Sequence, residues 1–209
     1  VDHVQGDPFA APSRLRVRVA RPVPADWRGS RRVAVEDWFA RRVVTETGRG
    51  RVGGSGKSGR IEVDAPGQEV LERTVVRLLE DGIEVRLMAG LPARGRSVLG
   101  RQAEALLLEQ IPSEVAAAVR TGDRDLEDLE RFVETVENQQ HLRAQLAPRG
   151  LVAFVADGAI LPRSSGVSDA PLAGATPFVV PEGDPRAVEL ELRHPEGASV
   201  RGLGLPEGL

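Results

Sequence analysis

Between residues 97 and 146 the apolar side chains recur every three or four positions, whereas on either side they alternate or run in short blocks; this change of period bounds the fold. Leu99, Ala103, Leu106, Leu107 and Ile111 predict one helix face, opened by an N-cap at Ser97 and stopped before Pro112. Residues 113–120 and 125–146 predict further helix broken at Gly122, with Leu126, Leu129, Val133 and Val136 on one stripe and acids opposite. Upstream, residues 14–19 alternate strictly, setting Leu15, Val17 and Val19 on one strand face and three arginines on the other. Val35, Trp38, Phe39 and Val43 predict a helix ended by Gly48, with the two aromatics in the core. Residues 61–64 predict a short strand, and Asp81-Gly82 a turn between strands at 73–79 and 83–89. Before Pro12 the chain reads as a loop that packs through Val4 and Phe9. Downstream, residues 151–156 predict a strand buried on both faces, Asp157-Gly158 a turn into 159–161, and 162–185 a loop. Residues 187–192 and 199–203 predict a detached strand pair joined through Pro195-Glu196-Gly197. The class is α/β of the α+β kind, a mixed sheet with helices packed on it.

A length of 209 residues suffices for a substantial core, and with aromatics at 3% and no Tyr that core must be Val, Leu, Ala and Ile. The absence of Cys excludes disulfides, thiol nucleophiles and thiolate zinc sites, and points to a reducing, cytoplasmic setting. The longest apolar run, 151–156, is far short of the ~18 residues of a membrane span, and no signal pattern opens the chain, so no membrane partner is expected. Lys57 is the sole lysine; every other cationic side chain is Arg. Residues 1–104 carry 19 basic against 14 acidic side chains and residues 105–209 carry 9 against 17, so a polyanion is expected to meet the first half.

The segment Gly48-Arg-Gly-Arg-Val-Gly-Gly-Ser-Gly-Lys-Ser-Gly59 holds two GxGxxG matches, but in helix-to-strand order, the reverse of a dinucleotide fingerprint. Gly56-Lys57-Ser58 ends like a Walker A loop, yet Arg51 stands where Gly is required and no helix follows. What remains is an anion nest: amides around Gly53, Gly54, Ser55, Gly56, Ser58 and Gly59, with charge from Arg49, Arg51, Lys57 and Arg60 and no acid between Glu46 and Glu62. Such a site would take a phosphate of a nucleotide or of RNA; the alternative is a flexible glycine linker. His3, His141 and His194 are scattered, and only Glu137 and His141 share a helical face, too little for a metal. No GxSxG elbow occurs, and the pairs Asp125/Asp128 and Glu130/Glu134 read as solvated helix faces. No catalytic residue is expected.

Six phrases together resemble one family: Asp2-His-Val-Gln-Gly-Asp-Pro-Phe-Ala-Ala-Pro-Ser-Arg14, Gly54-Ser-Gly-Lys-Ser-Gly59, Asp64-Ala-Pro-Gly-Gln-Glu-Val-Leu71, Gly90-Leu-Pro-Ala-Arg-Gly-Arg96, the stretch 151–163, and Gly202-Leu-Gly-Leu-Pro-Glu-Gly208. They are similar to the ATPases of the ABC class, large soluble proteins without membrane domains. The resemblance implies an N-terminal accessory domain over 1–182, then the leading β-strands of an ABC-type nucleotide-binding domain over 183–209. It implies that the chain is a piece cut at both ends, stopping just before Walker A and inactive alone. It further implies ATP and Mg2+ as cofactors of the parent protein, a homodimer, the downstream ATPase domain as partner, and an association with RNA. Two functions follow from it: coupling of ATP binding and hydrolysis to a nucleic-acid or protein partner, or RNA binding through the basic half.

Overall fold

The computed structural model describes residues 1–47, 54–64 and 66–208. Two compact units divide the chain, Val1–Glu130 and Arg131–Leu209.

In the first unit the chain runs through β1 (Ser13–Ala20), α1 (Ala25–Arg28), α2 (Arg32–Thr47), β2 (Ile61–Glu62), β3 (Val76–Leu78) and β4 (Gly82–Ala89). β4 is the centre of the sheet: β1 lies antiparallel along its whole length, from Ser13 opposite Ala89 to Ala20 opposite Gly82, and β2 and β3 also pair with it. The alternation read in the sequence buries Leu15 of β1, and Ile83, Val85 and Leu87 of β4, together with Val76 and Leu78 of β3. On α2, Val35, Phe39 and Val43 are fully buried, each worth about 2 kcal/mol of transfer free energy. Phe39 meets Trp38 edge-on at 5.0 Å and Trp27 at 5.9 Å, which confirms the aromatics as core.

Polar groups missed by apolar periodicity fasten this layer. Buried Glu36 on α2 accepts the Leu78 amide at 3.0 Å, closing an open hydrogen-bonding position of β3, and receives Arg32 at 2.9 Å. The β1 arginines form the solvated face: Arg16 grips Asp2 through two bonds of 2.7 and 2.8 Å, and Arg18 reaches Glu84 at 2.7 Å. Burial pushes the Glu84 carboxyl up, but the hydrogen bonds from Arg18 and Arg86 outweigh it and hold the group below its ordinary value.

The segment after β4 departs from the sequence reading. Ser97 does not cap a helix; it lies in β6 (Ser97–Val98), paired with β5 (Ala93–Arg94) as a small hairpin, because Gly95 at φ 61° supplies the turn. Helix begins one step later as α3 (Gly100–Ala105) and does not stop at Pro112. It widens into a π turn at Leu106–Gln110 and continues as α4 (Ile111–Val119). The wide turn shifts the hydrogen-bond register where proline lacks its N–H and its ring would strike the carbonyl four residues back. α5 (Asp123–Leu146) starts after Gly122, whose amide donates to Asp125 at 3.0 Å.

The second unit contains the later turns of α5, β7 (Leu151–Ala156), β8 (Arg163–Ser165), β9 (Ser168–Pro171), β10 (Ala187–Glu191) and β11 (Ser199–Pro206). Its sheet runs β10-β11-β7, and every pairing among the named strands of the chain is antiparallel. The expected pairing of 187–192 with 199–203 is present, but the pair is not detached, because β11 also pairs with β7. β7, however, is an edge strand with Val152 61% exposed, not a strand buried on both faces. Residues 159–161 form no strand, and part of the expected 162–185 loop is the β8-β9 hairpin. β7 pairs with β11 from Ala156/Gly202 to Leu151/Pro206.

β10 is the other edge, and α5 caps its C-terminal end with side-chain amides. Gln145 accepts the Glu191 amide at 3.1 Å and donates to the Glu191 carbonyl at 2.8 Å. Asn138 accepts the amides of Arg193 and His194 and donates to the His194 carbonyl, all at 2.8–2.9 Å. His194 in turn bonds buried Glu137 at 2.7 Å.

Candidate anion-binding site

Of the ten residues singled out by the glycine-rich segment, Gly53, Arg49 and Arg51 lie outside the described residues. The remaining seven, Gly54 to Arg60, form a packed turn between two distant pieces of chain. The Lys57 amide donates to the Pro8 carbonyl at 3.0 Å, and the Ser55 amide to Ala93 at 3.3 Å. The Gly59 amide bonds the Gly90 carbonyl at 2.8 Å, and the Gly90 amide returns to Arg60 at 2.7 Å. Both serines act as fasteners: Ser58 Oγ accepts the Ala93 amide at 2.9 Å and Ser55 Oγ the Gly95 amide at 2.8 Å.

The glycines are required by close approach. A Cβ on Gly56, whose φ is 63°, would press on the Pro8 carbonyl, and one on Gly54 would lie 2.7 Å from the Ala93 oxygen. One on Gly90 would strike the Lys57 carbonyl. The described part of the segment is therefore a specified turn, not a flexible linker.

The same bonds change what the turn offers an anion. The amides of Ser55, Lys57, Ser58, Gly59 and Arg60 are engaged by protein oxygens, so they do not converge on an open nest. Charge is presented by side chains instead. Arg60 is paired with Glu62 at 2.9 Å. Lys57 has no ion-pair partner among the described residues, nor do Arg94 and Arg96, both exposed on the hairpin that Ser55 holds.

The first segment completes the site. Val4 and Phe9, expected to pack, are each 61% exposed; Gln5 is the anchor. Buried Gln5 donates its amide to Ser13 Oγ at 3.0 Å, accepts the Leu91 amide at 2.8 Å and donates to the Ala10 carbonyl at 3.2 Å. Thus the phrases at 2–14, 54–59 and 90–96, far apart in sequence, meet at one place. Phe9, Arg94 and Arg96 were not singled out as site residues, and their only sequence signal was membership of those phrases. Among the described residues no group of three or more His, Asp or Glu is arranged to hold a metal.

Comparison with protein families also divides the chain in two, at 121/125. The N-terminal domain of the ATPases of the ABC class matches residues 1–121, and the P-loop domain of that family matches 125–209. The chain belongs to the ABC-class ATPases. No curated protein matches it.

A P-loop ATPase of this family uses nucleotide with Mg2+ in general. The Gly56-Lys57-Ser58 turn does not fit that role, because its amides are engaged internally and the strand β2, not a helix N-terminus, follows it. No phosphoryl-transfer step is assigned to these residues. No helix among the described residues is long and apolar enough to cross a membrane.

Proposed function

We propose that the N-terminal unit couples ATP binding and hydrolysis by this ABC-class ATPase to a nucleic-acid partner, with the packed turn at 54–60 as its phosphate contact. The observation that carries this reading is the convergence of three family phrases on one surface where Lys57, Arg94 and Arg96 have no acidic partner among the described residues. Phosphates pair with such cations by releasing counterions, which makes affinity fall with salt. Arg60, a candidate from the sequence, contributes less because Glu62 neutralises it. The reading includes a homodimer, as the family resemblance implies, in the cytoplasmic setting that the absence of Cys suggests, and light scattering on the purified chain tests the dimer.

The decisive test is Lys57→Ala. Its ammonium makes no ion pair or side-chain hydrogen bond among the described residues, so the fold should be unchanged while oligonucleotide affinity drops by about 1 kcal/mol and the salt slope shrinks by about 0.7. The coupling arm is read in a longer chain that carries a Walker A loop, as oligonucleotide-stimulated ATP turnover with and without the substitution. Unchanged affinity, slope and stimulation would sink the proposal.

A further inference from the structure

We propose that this surface selects single-stranded nucleic acid, with Phe9 as the platform on which an unpaired base stacks while Lys57, Arg94 and Arg96 hold the flanking phosphates. This rests on the nucleic-acid reading above and goes beyond it, to the strandedness of the ligand and the residue that reads it.

The argument starts from Phe9. The sequence has only seven Phe and Trp together, and six of them are buried or half-buried; Phe9 alone among the described aromatics is classed as exposed. An aromatic ring left in water forgoes about 2 kcal/mol of burial, so its position asks for a reason. Its backbone is firmly placed. The Phe9 amide donates to Asp7 Oδ1 at 2.8 Å, the Ala10 amide to the Asp7 carbonyl at 2.9 Å, and the preceding residue, buried Pro8, accepts Lys57. The ring projects beside Gly56, where an added Cβ would come within 3.2 Å of its Cδ1. The next residue is Lys57, and the residue before Gly56 is Ser55, which holds Gly95 between Arg94 and Arg96. An apolar face and three cations with no ion pair among the described residues therefore share one surface. Asp7, the acid beside the ring, has Oδ1 engaged by the Phe9 amide.

This combination fits a single strand and not a duplex. A base inside a duplex is stacked on both faces by its neighbours, and only an unpaired base has a free face for a protein ring. Phosphates alone would explain the cations, but not the exposed ring.

The test uses the 209-residue chain and fluorescence anisotropy with labelled oligo-U RNA, oligo-dT DNA and a mixed-sequence duplex of equal length. Either single strand should bind at least about tenfold tighter than the duplex. Phe9→Ala should weaken single-strand binding by about tenfold without altering the salt slope, and Phe9→Trp should preserve it. Arg94→Ala with Arg96→Ala should instead flatten the slope by about 0.7 per cation. The ratio of RNA to DNA affinity identifies the sugar the site accepts, and this pattern on either one supports the proposal. Equal binding of duplex and single strands, or full affinity in Phe9→Ala, overturns the stacking proposal while leaving the nucleic-acid reading intact. No binding to any oligonucleotide by the wild-type chain overturns both.

Discussion

Gly90→Ala is the sharpest probe of the packed turn. Gly90 ends the β4 side of the pairing that β2 begins: its carbonyl takes the Gly59 amide at 2.8 Å and its own amide reaches Arg60 at 2.7 Å. A methyl group there would point into the Lys57 carbonyl, so the turn would have to withdraw by more than an ångström, which both bonds are too short to tolerate. Losing two such bonds costs about 2 kcal/mol, and overpacking against rigid backbone costs about 1–3 kcal/mol; the terms overlap because withdrawal relieves the clash. We expect a net destabilisation of about 2–4 kcal/mol, read as a lower urea midpoint at unchanged m. The control is Gly6→Ala, since nothing lies within 4 Å of an added Cβ there; its stability should change by less than about 0.5 kcal/mol. Displacing Lys57 should also lower oligonucleotide affinity in the Gly90 variant. A Gly90→Ala protein as stable as wild type would show that the turn does not pack on this position, and the argument for a built site would fall with it.

Burial, against the Leu78 amide and Arg32, raises Glu36 above its ordinary value of 4.5. A raised folded-state value means that its contribution to stability is full at low pH and is lost as pH rises through that value. The urea midpoint of Glu36→Gln relative to wild type should therefore increase between about pH 4 and pH 7, and a relative decrease would refute this assignment. Asp184 has the opposite sign: hydrogen bonds from the side chain and amide of Arg186 lower it from 3.8 to about 2. Its contribution is present above 3.8 and lost as pH falls toward 2, so Asp184→Asn should remove part of the acid sensitivity of unfolding; an unchanged pH profile would count against it. Finally, the 209-residue chain should turn over no ATP above background, because phosphoryl transfer needs a phosphate loop, a metal ligand and a positioned water together. Turnover that survives rigorous purification would contradict this.

Much of the fold was legible where one face of an element is buried. The alternation at residues 14–19 placed Leu15 inside with Val17 and Val19 half-buried, and the 3.6-residue period placed Val35, Phe39 and Val43 fully inside. Reading failed where main-chain geometry decided the outcome. Ser97 has the chemistry of a cap, but the Gly95 turn draws it into a hairpin; Pro112 signals a stop, but a π turn absorbs it. Phe9 was assigned to packing from hydrophobicity alone, whereas the anchor is Gln5, whose three bonds to residues 10, 13 and 91 have no periodic signature. The glycine segment was legible as distinctive but not as a packed turn. What it packs against comes from residues more than thirty positions away, and a single sequence carries no record of that proximity.

The amides of Asn138 and Gln145 have a consequence for how the second unit can be enlarged. They satisfy main-chain groups of Glu191, Arg193 and His194, so α5 caps the C-terminal end of β10. The opposite border, along β7, has no strand beside it among the described residues. A strand added beside β10, by contrast, would have to end before residue 191, where the Gln145 side-chain amide already holds both main-chain groups.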